Sequence, residues 1–596
     1  MILHGARSRL IICVAATLYA ALVFPIPNHA NPSSAPGDKD DNEVKFSSRT
    51  DLVLIPVLVT DKSGKHITGL KQEDFVVKEN GAEQKIASFE EITSDVHHLS
   101  RPQNPNEFSN LGPSELSPKQ TTLIVLDFIN TPFAEQAFAR QELLKYLEQS
   151  IDGREPTALY TLTRDGIHVI HNFTSDPRIL AAALHQVRGD PYQMVDSDED
   201  VEAITGTATA TPDDGGNFTG GASSASSSKE SAGSKGSGQA RVQATAARLQ
   251  SILANAELNF QSFQQRLAIT YTLNGLQQIA QAVSGIPGRK ALIWASGGFP
   301  FSVSDTTMQL APAGRDTLSD VMPMYERTWQ LLNNAQIALY PVDVKGLEAV
   351  NIPSASLGNP GSNFGRHASW RQLDMQGTFE IFASTTGGRA YFNSNDLARG
   401  FREAVNDSSQ YYIVGYYLDH SKAQPGWRKL AVKVKLGHTE VRSRSGFFVT
   451  SPTVDPEKTR EDDISSALSS PLDYSSLALV ARWGRIEPAK EPDKRYVVYK
   501  VHLSPDARII NEADNNHIDL EIVALALAPN GKRAGQPVGQ KVDMHLTARK
   551  AAAIEQDGLQ FTNVLDLAPG TYTVRFVVRD SLTGRTGSVG APLKVE

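Results

Sequence analysis

A chain of 596 residues is long enough for three or four domains of ordinary size. Its formal charge of -8 argues against the clustered basic surface that nonspecific nucleic-acid binding requires. The only cysteine, Cys13, lies in a leader-like N-terminal segment, so a processed chain would hold no disulfide, thiolate metal site or thiol nucleophile.

Arg7 and Arg9 precede an apolar run from Leu10 to Phe24, followed by Pro25, Pro27 and the small Ala30. That order predicts a secretory signal over residues 1–30, with an uncleaved membrane anchor as the alternative. No later apolar run reaches spanning length, so no stable membrane span is expected in the mature chain. Export then implies a periplasmic, cell-surface or extracellular protein.

Residues 44–93 predict an N-terminal β module. DLVLIPVLVTDKSGK supplies a strand and a turn, and DFVVKENGAEQKIASFEE a hairpin around Asn80-Gly81, whose residues tolerate positive φ. Residues 94–119, rich in Pro, Ser and Asn, predict a linker. Helix and strand patterns alternate over 120–408, consistent with βαβ units and a parallel sheet. Within them, residues 189–239 turn acidic and then Gly/Ser-rich, which predicts a disordered insertion.

Residues 410–450 hold further alternating strands. This segment and 44–93 are each too small for a robust sandwich, so the two are expected to combine, with the α/β domain inserted between them. The charged stretch 451–465 predicts a linker. Residues 466–596 predict a C-terminal β-sandwich, in which Tyr572, Val574, Phe576 and Val578 share one face.

The most informative stretch is TTLIVLDFINTP at 121–132. An apolar run of strand length ends on Asp127, and a helix-like segment opens after Pro132. An acid at that junction lies at the carboxyl edge of an open α/β sheet, where ligands usually bind. The same residues have plainer readings. Asp127 can serve as a loop hydrogen-bond acceptor, Thr131 as a helix cap before Pro132, and Ser296 and Thr272 as turn or cap residues.

These motifs resemble a known family. LIVLDFINT at 123–131, RKALIWASGGFP at 289–300 and NAQIALYPVDVKGL at 334–347 resemble strands of a von Willebrand factor type A domain. Their order, together with LVTDKSGKHITGLKQEDFVVKENG, YYIVGYY and SGFF, resembles secreted bacterial proteins of the VWFA-related family. The resemblance implies a Rossmann-like α/β type A domain, a mostly parallel sheet with helices on both faces, flanked by β-sandwich modules. It also implies a Mg²⁺ site built from Asp-x-Ser-x-Ser, a loop threonine and a second Asp. Here Asp127 matches the first acid, Ile129 replaces the first Ser, Thr131 replaces the second, Thr272 matches the loop threonine and Ser296 stands for the last Asp. One carboxylate remains where two are usual, so Mg²⁺ binding is expected to be weak or absent. Asn130 is adjacent in register to the expected ligands.

Enzyme signals are sparse. His168 and His171 are placed on opposite faces of a strand by their spacing. Ser296 beside two glycines has no assignable base, and no metalloprotease, nucleophile-elbow or phosphate-loop motif occurs. The expectation is a secreted, non-enzymatic interaction protein with a protein or cell-envelope partner, no nucleic acid and a degenerate metal site. The alternatives are an envelope scaffold with a vestigial, metal-free site and a secreted hydrolase.

Overall fold

The structure, a computed structural model, describes residues 51–93, 106–110, 120–149, 156–189, 263–299, 321–346, 376–419, 425–449, 456–491 and 493–596. The expected signal at 1–30 and residues 190–239 of the expected insertion lie outside these.

The expected fold class needs correction. The described chain is mostly β, with 44% strand against 29% helix, rather than a Rossmann-like type A core with flanking sandwiches. Sixteen of its twenty-one strands lie in four antiparallel sheets, and only one sheet contains parallel pairs. The expectation overweighted one continuous apolar run, whereas most strands alternate inward and outward residues, as antiparallel sheets require.

The first body begins with β1 (Asp51–Asp61), β2 (Phe75–Glu79), β3 (Ala82–Gln84) and β4 (Ser88–Ile92). Asn80 and Gly81, at φ 47° and 87°, turn β2 into β3. After a three-residue strand, β5 (Glu107–Ser109), the chain enters the mixed sheet. That sheet and its helices comprise β6 (Gln120–Asp127), α1 (Phe133–Gln149), β7 (Thr157–Thr163), β8 (Gly166–Thr174), α2 (Pro177–His185), helix α3 at 263–283, β9 (Arg289–Ser296), α4 (Met322–Asn334), β10 (Ile337–Asp343), helix α5 at 376–386 and α6 (Leu397–Asn406). Its order is β10-β9-β6-β7-β8, with β10/β9, β9/β6 and β6/β7 parallel and β7/β8 antiparallel. Both faces are covered. Leu123, Val125, Leu292 and Trp294 pack with Leu276, Trp329 and Phe382, while Ile124, Leu126 and Ile293 pack with Leu143, Leu184 and Phe401.

The chain then returns to the first body through β11 (Tyr411–Leu418), β12 (Gly426–Val434), β13 (Thr439–Ser443) and β14 (Gly446–Val449). The two sheets are β13-β1-β11-β4 and β14-β12-β2-β3. Ile55, Val57 and Val77 share one core with Tyr412, Val414 and Leu430, so segments more than 300 residues apart bury each other. No helix among the described residues is long and apolar enough to cross a membrane.

The last body holds α7 (Pro456–Ser469), β15 (Leu479–Pro488), β16 (Arg495–Leu503), β17 (His517–Leu527), β18 (Arg533–His545), α8 (Ala548–Asp557), β19 (Leu559–Leu567), β20 (Gly570–Asp580) and β21 (Thr586–Val595). Its sheets are β19-β16-β15-β5 and β18-β17-β20-β21. Val574, Phe576 and Val578 turn into their shared core, with Tyr572 at its margin.

Two expected linkers contain structure. Residues 107–109 of the 94–119 stretch form β5, an edge strand pairing with Val480–Arg482 in the last body. Asn110 locks it there: its Nδ2 donates to the carbonyls of Tyr474 (2.6 Å) and Leu477 (2.7 Å), and its Oδ1 accepts from Leu479 N–H at 2.9 Å. Residues 456–465 of the second linker belong to α7. Two of its charges are partnered across the fold: Arg460 bonds Glu521 at 2.7 Å, and Asp463 bonds Arg579 at 3.0 Å and also pairs with Arg327 of α4.

Candidate functional site

β6 is buried on both faces, with Leu123, Ile124 and Val125 fully covered, and it delivers Asp127 to the carboxyl edge of the mixed sheet. There the chain turns back on the aspartate. Asp127 Oδ1 accepts the N–H groups of Ile129 at 3.0 Å and Asn130 at 3.1 Å, a turn that the short acidic side chain itself stabilises. Oδ2 accepts three more donors: Asn130 Nδ2 at 2.7 Å, Ser296 Oγ at 2.9 Å and Trp294 Nε1 at 3.0 Å.

The four candidate residues are brought together. Asn130 Nδ2 also donates to Thr272 Oγ1 at 2.8 Å, and Thr131 Oγ1 accepts the Gly297 N–H at 2.9 Å. Asp127, Thr131, Thr272 and Ser296 are all at most 3% exposed. Two close approaches make this possible. A Cβ at Gly275 would lie 2.6 Å from Leu162 Cδ1, so glycine lets α3 settle against the sheet. A Cβ at Gly297 would lie 2.9 Å from Asn130 O, so the loop after β9 can press onto residues 130–132.

Several expectations change here. Thr272 comes from the interior of α3 rather than from a loop. Asn130, adjacent in register to the expected ligands, is the side chain that bridges Asp127 to Thr272. Trp294 is not among the expected site residues. The usable signal was a tryptophan in a buried strand, whose indole N–H needs an acceptor, two residues before Ser296 and therefore on the same face. Ile129 packs into the apolar core.

The node does not fit a resident divalent cation. A carboxylate offers about four lone-pair sites, and five donors already converge on those of Asp127. The positive ends of an amide and an indole N–H point where a cation would have to sit. Mg²⁺ demands about six oxygen ligands in near-octahedral order. Burial raises the Asp127 pKa above the ordinary carboxylate value, while bonds from Asn130, Ser296 and Trp294 oppose that rise. No group of three or more His, Cys, Asp or Glu side chains placed to hold a metal occurs among the described residues.

The other enzyme candidates are likewise engaged. Ser296 Oγ lies 2.9 Å from Asp127 Oδ2 and 2.7 Å from Gly298 O. His168 Nε2 contacts Thr163 Oγ1 at 3.0 Å, and His171 Nδ1 contacts Asn172 O at 2.6 Å.

The same edge is open a short way along. Phe133, at the start of α1, is 49% exposed. Asp343 ends β10 in register with Ser296, and a cavity of about 360 Å³ opens beside it. Asp343, Tyr391, Phe392, Asp396, Arg399 and Glu403 are among its lining residues. Asp396 caps α6 by accepting the Arg399 N–H at 3.0 Å, and Arg399 Nε bonds Glu403 at 2.7 Å. None of these lining residues is among the candidates expected from the sequence. No family model matches the chain, and no curated protein matches it.

Proposed function

We propose that this chain is an exported, non-enzymatic interaction protein that recognises a protein partner with the carboxyl edge of its mixed sheet. The carrying observation is the contrast along that edge. The Asp127 node clamps the loops after β6 and β9 to each other and to α3, while Phe133 and the cavity beside Asp343 remain accessible. A recognition surface needs rigid support beneath exposed contact groups, and an aromatic anchor is the kind of group that carries binding energy. The basic, apolar and small-residue order of residues 1–30 supports export. The enclosure of Ser296 supports a non-enzymatic role.

A photoreactive phenylalanine at position 133 of the full chain tests this reading, with the same group at the exposed Val564 of β19 as the comparison. A discrete protein adduct from position 133 alone is the expected result. Adducts from position 564 alone would reject it and favour a scaffold that assembles through its β bodies, a reading supported by the threading of β5 into the last body.

A further inference from the structure

One end of the first body carries two turns side by side. The chain turns at residues 61–65 after β1 and at 435–438 before β13, and the two strands meet there, with Asp61 in register with Thr439. Both turns are held from within. Asp61 Oδ1 accepts the N–H groups of Ser63 at 2.8 Å and Lys65 at 3.0 Å. The Lys435 N–H donates to Asp74 O at 2.8 Å, Thr439 Oγ1 donates to Leu436 O at 3.0 Å, and His438 takes a φ of 64°.

The second turn projects from the fold. Lys435, Leu436, Gly437 and His438 are exposed in succession, and a Cβ at Gly437 would meet no atom within 4 Å. Leu436 is 48% exposed at this tip. Lys433 and Lys435 precede it, Lys62 and Lys65 lie on the neighbouring turn, and all four are exposed. Among the described residues, no acid forms a salt bridge with Lys62, Lys433 or Lys435. Asp61, Asp74 and Glu73 offset part of this charge, the first two while bound to backbone N–H groups. Glu440, in register with Thr60, is turned to Arg389 at 2.9 Å and Arg442 at 3.5 Å.

We propose that this end of the first body docks on an anionic lipid bilayer, with Leu436 entering the interface and Lys62, Lys65, Lys433 and Lys435 reaching lipid phosphates. The inference stands on the first body and goes beyond the protein recognition proposed for the carboxyl edge. A protruding apolar tip has no groove to enclose a ligand, and a rigid partner would need a matching pocket, whereas a bilayer yields around the tip. Lysine stems lie along apolar surface while their ammonium groups stay in water among the phosphates. Each lysine near such a surface contributes about fivefold in affinity, and one leucine gives reversible attachment.

The test is cosedimentation of residues 31–596, without the expected leader, with vesicles of phosphatidylcholine alone or mixed with phosphatidylglycerol. Binding to the mixed vesicles is expected, roughly tenfold or more tighter than to phosphatidylcholine and weakened by salt. Lys433→Gln with Lys435→Gln should lose roughly tenfold or more. Leu436→Ser keeps the carbonyl that Thr439 bonds and should lose about fivefold. These side chains are exposed, so the thermal unfolding of both variants should match wild type, and Arg549→Gln with Lys550→Gln on α8 should bind as wild type does. No vesicle binding, equal binding to the two compositions, unchanged binding in both tip variants, or an equal loss in the α8 variant would overturn the proposal. Retention by soluble polyphosphate without vesicle binding would also overturn it, in favour of a dissolved polyanion. Photoadducts from position 133 bear on the carboxyl edge alone, so the two readings fail separately.

Discussion

Trp294 Nε1 lies 3.0 Å from Asp127 Oδ2, joining side chains 167 positions apart. Val125 and Trp294 are register partners on neighbouring parallel strands, so the indole reaches along β6 to the acid that ends it. With Asn130 and Ser296 it turns a carboxylate at the carboxyl edge of the sheet into the internal tie of three chain segments.

Asp127→Asn should therefore destabilise the protein. The amide must turn an NH₂ group toward some of the five donors that now converge on the acid. Relief of the buried charge works in the other direction, but two or three orphaned donors at about 1–3 kcal/mol each outweigh it. A net loss of about 2–4 kcal/mol is expected in urea unfolding. Because a ligand of the native state raises stability by mass action, millimolar Mg²⁺ should leave the wild-type transition unmoved. An Mg²⁺-dependent shift that disappears in Asp127→Asn would restore the metal reading.

Ser296→Ala should cost about 1–2 kcal/mol, because it deletes one donor to Asp127 and the group beside Gly298 O. The same enclosure predicts that a fluorophosphonate probe leaves Ser296 unmodified in the folded protein. Labelling at that residue under native conditions would reopen the hydrolase possibility.

Asp127 was legible because a buried apolar run ends there, and Thr131 because Pro132 follows it. The donors were not legible, since their roles depend on which strands become neighbours. TYTLNG reads locally as a turn around Thr272, yet packing of Gly275 on Leu162 carries the helix straight through. The strand Glu107–Ser109 is too short for any periodicity, and its partners lie some 370 positions away. α7 looked like a charged linker because Asp463 and Ala467 are its only buried residues, and the charges it pairs lie on α4, β17 and β20. The mostly-β character was obscured for a related reason. One continuous apolar strand is a louder local signal than many alternating ones.

Lys290 predicts a pH dependence. It is 2% exposed on β9, its Nζ donates to the Ala335 carbonyl at 2.8 Å, and burial lowers its pKa to about 7. Unfolded, the same amine titrates near ~10.4. Between these values the unfolded chain holds more protons, so stability should rise with pH across roughly 7 to 10 and be lost as pH falls back through 7. The slope is on the order of 1 kcal/mol per pH unit. Above that window, tyrosines whose burial raises their pKa, such as Tyr160, oppose the gain because they ionise first in the unfolded chain. Lys290→Met should flatten the rise; an unchanged slope would show that other groups produce it.

Asn110 is the most economical place to test the threading of the chain between its bodies. Its amide is 8% exposed and bonds the backbone of Tyr474, Leu477 and Leu479 at the entrance to β15. Asn110→Ala removes the bonds to the Leu477 carbonyl and the Leu479 N–H, while the Tyr474 carbonyl keeps the Ser588 N–H, and should cost about 2–4 kcal/mol. The effect should be local before it is global, because β5 is a three-residue edge strand with little core of its own. Amide exchange at Leu479 should therefore accelerate strongly, while exchange in β6 and β9 stays near wild type. Equal acceleration in β6 would mean that the mixed sheet and the last body unfold as one unit, and that β5 is no independent tether.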